Sequence, residues 1–82
     1  MSYPVFSEPI PDVFTPIDGD IIGVVINGQY RRGYKFVADS DDVTEDMLSR
    51  QDVYEWKEMR GRTWITVLEE QNYGDVLQEL EN

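Results

Sequence analysis

The sequence predicts a small α+β protein: an antiparallel sheet of about four strands in two hairpins, curled towards a barrel, with two short helices and an extended proline-rich N-terminal arm. Three observations carry that expectation. Asn27-Gly28 stands between apolar runs in "VVINGQY", and this dipeptide supplies the two positive-φ positions of a type I′ hairpin turn. "VYEWKEMRGRTWITVL" repeats the plan around Arg60-Gly61. Two capping patterns, Asp42 with Glu45 and Asn72 with Asp75, each open a segment with apolar residues at helical spacing.

In chain order, residues 1–18 form the arm and residues 19–82 a single domain. "MSYPVFSEPIPDVFTPIDGD" holds all 4 prolines, each of which removes a backbone donor and drives its predecessor towards extended geometry. Tyr3, Val5, Phe6, Ile10, Val13, Phe14 and Ile17 are too apolar for a free tail, so the arm lies on a surface, either its own domain's or a partner's. A two-residue turn at Asn27-Gly28 sets Ile26 against Gln29, Val25 against Tyr30, Gly23 against Arg32 and Ile21 against Tyr34. The strand "IIGVVI" is apolar on both faces and should be central. Opposite Arg32, Gly23 leaves room for the arginine stem to cross the sheet between Tyr30 and Tyr34. In the first helix, capped by Asp42, Val43, Met47 and Leu48 turn inward. Tyr54 and Trp56 alternate with charges in the second hairpin. A last helix, capped by Asn72, puts Tyr73, Val76, Leu77 and Leu80 on one side.

Composition removes most chemistry. With no cysteine or histidine there are no disulfides, thiol nucleophiles, imidazole bases or usual zinc ligands, so no enzyme and no cofactor is expected. Carboxylate pairs such as Asp18 and Asp20 remain, but no pattern isolates one of them from water. "DSDD" offers oxygen ligands, yet counted from Asp39 the calcium-loop places that need an oxygen ligand, a glycine and a glutamate hold Val43, Thr44 and Arg50. No metal is expected. The longest apolar run, residues 21–26, is far short of the roughly 20 residues that span a bilayer. The start of the chain has no basic stretch of the kind that opens a secretory signal, and the expectation is a soluble cytoplasmic protein without membrane contact.

"RGYKFVAD", Arg32 to Asp39, resembles the RNP1 octamer of the RNA-recognition motif family at Arg32, Gly33, Tyr34, Phe36 and Val37. It departs from that pattern at Lys35 and Asp39, and the proline-rich segment upstream cannot supply the strand and helix that precede RNP1. A formal charge of -10 also repels phosphates, so no direct nucleic-acid contact is expected. The structural alternative is that this strand's basic residues answer the chain's own acids.

The acids are gathered. Asp39, Asp41, Asp42, Glu45 and Asp46 have no base among them, and neither do Glu69, Glu70, Asp75, Glu79 and Glu81. If both helices lie on one side of the sheet, Asp39, Asp41, Asp42, Glu45 and Asp46 make the first contacts with a basic partner, and Glu69, Glu70 and Glu79 extend the stripe. Ordinary solvated helix ends are the plainer reading, since acids also suit a helix N-terminus. The expected function is a small acidic protein-binding inhibitor that blocks the cationic surface of a nuclease, polymerase or other nucleic-acid-handling partner. In size and charge the chain is similar to phage-encoded inhibitors such as anti-CRISPR and anti-restriction DNA mimics, and to bacterial immunity proteins. The competing expectation is an assembly protein of a virion or other complex that docks through its N-terminal arm.

Overall fold

The computed structural model describes residues 3–8 and 19–81. Its strands are β1 (Val5–Ser7), β2 (Ile21–Ile26), β3 (Gln29–Asp39), β4 (Val53–Met59) and β5 (Arg62–Leu68), in the order β1-β2-β3-β5-β4. Helices α1 (Glu45–Leu48) and α2 (Glu70–Glu81) complete a small α+β fold. The expected sheet of about four antiparallel strands is corrected to a 5-stranded mixed one. The extra strand is β1, which runs parallel to β2 with Val5 opposite Gly23 and Ser7 opposite Val25. Parallel partners share no tight turn, so local turn chemistry cannot announce them. Most of the expected arm, residues 1–18, lies outside the described residues.

The first hairpin forms in the expected register, from Ile26 against Gln29 to Ile21 against Tyr34, around Asn27 at φ 51° and Gly28 at φ 78°. The space at Gly23 has a different occupant from the one expected. A Cβ there would stand 2.6 Å from the Tyr30 ring and 2.9 Å from a Val5 methyl, so the tyrosine and β1 use the gap. Arg32 instead extends to the Tyr34 hydroxyl, donating from Nη1 at 3.5 Å.

The second hairpin turns at Arg60 (φ 55°) and Gly61 (φ 74°), with Met59 opposite Arg62. A bulge between Val53 and Glu55 breaks the expected alternation of Tyr54 and Trp56. Tyr54 packs against Ile22 and Val24, whereas Trp56 pairs with the core residue Ile65 on the opposite face.

Because β3 and β4 each run antiparallel to β5, they are parallel to one another, and residues 40–52 must cross one face of the sheet to join them. A 3-10 turn at Ser40–Asp42 starts this crossover. The cap of α1 is Thr44, whose side chain accepts from the Met47 amide at 3.3 Å; Asp42 lies inside the preceding turn, two residues too early for the capping role expected of it. The expected cap of α2 also moves: the helix begins at Glu70, after Glu69 at φ 72°, and Asn72 falls within its first turn. The expected residues turn inward, Met47 and Val76 buried and the others partly so, with Val43 just ahead of α1. Val43, Met47, Leu48, Tyr73, Val76, Leu77 and Leu80 meet Tyr34, Phe36, Ile65 and Val67 in one core, with the Phe36 and Tyr73 rings edge to face at 5.6 Å.

The other face buries Ile22, Val24, Lys35 and Thr66, with Phe6, Ile26 and Tyr54 packed on the two aliphatic residues. Flat strands spaced about 4.8 Å apart would hold β1 and β4 roughly 19 Å from each other. Yet Tyr54 Oη donates to Glu8 Oε2 at 2.9 Å, so the sheet curls strongly about this face. It does not close: β1 and β4 share no ladder, and the expected barrel is corrected to an open sheet bridged by side chains. Among the described residues, no helix is long and apolar enough to cross a membrane.

Candidate functional site

The crossover and α2 pack over the same face of the sheet. Asp39, Asp41, Asp42, Glu45, Asp46, Glu69, Glu70 and Glu79 are all exposed. Their grouping follows from topology. Asp39 pairs with Arg62 at one end of the β3–β5 ladder, and Ser40 donates to the Gly61 carbonyl there, which holds Asp41 and Asp42 close by. Glu69 donates its amide to Arg32 at the opposite end, beside Leu68, six strand positions or about 20 Å away. The structure therefore keeps Asp39 and Glu69 apart, with Glu45 and Asp46 carried between these ends by the crossover helix.

Two bases stand among these acids. Arg62 Nε stands 3.7 Å from Asp39, an exposed and weak pair. Arg50 is better held: its guanidinium grips both oxygens of Asp52 at 2.8 and 2.6 Å and reaches Glu79 at 2.5 Å. Hydrogen bonding to Asp52 raises the Arg50 pKa further and holds the Asp52 carboxyl below its usual range. Glu79 is thereby committed to tying α2 to the end of the crossover. Asp41, Asp42, Glu45, Asp46, Glu69 and Glu70 have no ion-pair partner among the described residues.

Within this anionic face lies a shallow groove of about 290 Å³ between α1 and β4, lined by Glu45, Leu48, Ser49 and Trp56. The Trp56 side is open, the residue being 47% exposed. From the sequence, Trp56 is expected in or beside the core, or as an interface anchor if a sheet face leaves it exposed. Its partners Leu48 and Ser49 were not legible, because a hairpin pattern does not say which strand the helix crosses beside.

The basic residues of "RRGYKFV" scatter. Arg31 is exposed, and Lys35 is buried on the curled face. Arg32 sits among tyrosines, its pKa raised chiefly by a hydrogen bond with Tyr3, which also bonds the Tyr30 hydroxyl. Burial pushes the Lys35 ammonium down to about 8, against an opposing pull from Glu55. No three potential ligands gather into a metal-binding group among the described residues. Comparison with protein-family models, curated proteins and solved structures found no match to this chain.

Proposed function

We propose that this chain is a small acidic inhibitor that occupies the cationic surface of a nucleic-acid-handling protein, in the manner of phage anti-defence proteins, DNA mimics or immunity proteins. One observation supports the reading above others: Asp41, Asp42, Glu45, Asp46, Glu69 and Glu70 are exposed and without ion-pair partners among the described residues, and they belong to the crossover and the start of α2, which pack over one face of the sheet. The mechanism is steric and electrostatic: the anionic face steers encounter, then excludes the nucleic acid. Assembly through the N-terminal segment ranks second, because the described part of that segment already pairs with the chain's own β2.

The test is a pull-down from a host lysate with the parent chain and with a variant carrying Asp41→Lys, Asp42→Lys, Asp46→Lys and Glu70→Lys, at about 50 and about 300 mM salt. Nucleic-acid-binding proteins should be captured by the parent at low salt and lost both at high salt and in the variant. Capture unaffected by charge reversal, or capture of shell subunits or further copies of this chain, overturns the reading.

A further inference from the structure

Trp56 is an expensive residue to leave open. It stands on the helix-bearing face, 47% exposed, although its cross-strand partner Ile65 is fully buried. Leu48 and Ser49 form one wall beside it, and Glu45 lines the same groove without an ion-pair partner among the described residues. Charge surrounds the site on one side of zero. Asp46 is exposed next to Glu45, and Glu58 is exposed two residues along β4 on the Trp56 face. The nearby base, Arg50, is already shared between Asp52 and Glu79. An apolar partner side chain would gain nothing from those carboxylates, and an acidic one would be repelled. A lysine would satisfy the charge, but its compact, strongly hydrated ammonium makes poor use of an aromatic face. Arginine would suit every wall, with its stem against Leu48, its guanidinium plane on the indole and its N–H groups towards the Glu45 carboxylate.

We propose that the groove between α1 and β4 is an arginine-reading subsite, in which Trp56 stacks on, and Glu45 hydrogen-bonds, the guanidinium of an arginine side chain presented by the basic partner. The inference rests on the function proposed above and deepens it, because it separates one specific anchor from the general attraction of the acidic face. Of the two tryptophans, Trp64 is the more enclosed and donates its indole N–H to the Met59 carbonyl at 3.4 Å, so substituting it leaves Trp56 as the sole reporter.

The experiment titrates a Trp64→Phe background with capped tetra-arginine and tetra-lysine peptides, reading Trp56 fluorescence, and repeats both titrations by calorimetry on Trp56→Ala and Glu45→Gln in the otherwise native chain. Circular dichroism confirms that each variant is folded. Tetra-arginine should perturb Trp56 and bind about tenfold more tightly than tetra-lysine, and Trp56→Ala, which changes no charge, should remove that preference while leaving salt-sensitive tetra-lysine binding intact. Glu45→Gln should weaken tetra-arginine more than tetra-lysine. Equal binding of the two peptides, or an arginine preference that survives in Trp56→Ala, overturns the subsite and leaves the acidic-face reading standing. Failure of the parent to bind either peptide removes both.

Discussion

Tyr54 and Glu8 stand at opposite edges of the five-stranded sheet, yet the tyrosine hydroxyl donates to the Glu8 carboxylate at 2.9 Å. Burial, and then that hydrogen bond, push the Tyr54 hydroxyl up to about 12. In the unfolded chain it ionises near 10, so the protonated form is favoured by folding. Its contribution is complete below pH 10 and is lost as pH rises through about 12. Tyr30 is also raised, by its hydrogen bond with Tyr3, so spectrophotometric titration should show more than one late tyrosine, and Tyr54→Phe should remove one of the late steps. A titration unchanged in Tyr54→Phe contradicts the bridge.

Lys35 gives the opposite slope. It is 5% exposed and faces Thr66 across the β3–β5 ladder, with Glu55 opposite Thr66 on β4. A Glu55 oxygen and the Thr66 hydroxyl are buried without hydrogen-bond partners among the described residues. The ammonium falls from 10.5 unfolded to about 8 folded, so the unfolded state binds more protons between those values. Stability should rise with pH from 8 towards 10.5, and folding with the charged lysine at pH 7 costs about 3 kcal/mol relative to the neutral form. Lys35→Met with Glu55→Gln should flatten this rise and be at least as stable as the parent at pH 7, because neither replacement carries a buried charge. Urea denaturation at several pH values measures both; an undiminished slope in the double variant is the contrary result.

Arg50→Ala should destabilise the fold by about 1–2 kcal/mol, since the lost side chain holds Asp52, only 14% exposed in its side chain, in a two-bond grip. Arg50→Lys should recover only part of this, an ammonium being unable to make both bonds in the same plane. Asp52 is held below its ordinary 3.8 by Arg50, so its contribution is present above that value and lost as pH falls through the lower folded one. Acid unfolding of Arg50→Ala should therefore begin at a higher pH than in the parent. Equal acid midpoints for the two proteins argue against the pair.

Local chemistry was sufficient for much of this molecule. Asn27-Gly28 sets its turn because both residues readily take positive φ, and the first register follows from counting; Arg60-Gly61 marks the second turn through its glycine, but an arginine does not favour the positive φ that Arg60 takes, and the sequence left that hairpin's register open. The buried faces of both helices were equally plain from the spacing of Val43, Met47 and Leu48 and of Tyr73, Val76, Leu77 and Leu80. Helix starts were less so: Thr44 displaced Asp42 as cap because Ser40 donates to Gly61 and draws the chain into a 3-10 turn first. The bulge at Val53/Glu55 was hidden for a similar reason, since one extra residue in a strand leaves no mark on composition.

By itself the sequence determined the two hairpins, the inward residues of the helices, the net charge of -10 and the gathering of acids into two stretches. Tertiary structure alone decided that β5 inserts between β3 and β4, that β1 joins in parallel, that Asp39 and Glu69 come to opposite ends of the β3–β5 ladder, and that the Trp56 groove opens between α1 and β4. The physical reason is range. Turns and helical faces are settled by neighbours a few residues apart, whereas the order of strands and the meeting of Leu48 with Trp56 depend on which distant apolar surfaces bury each other best.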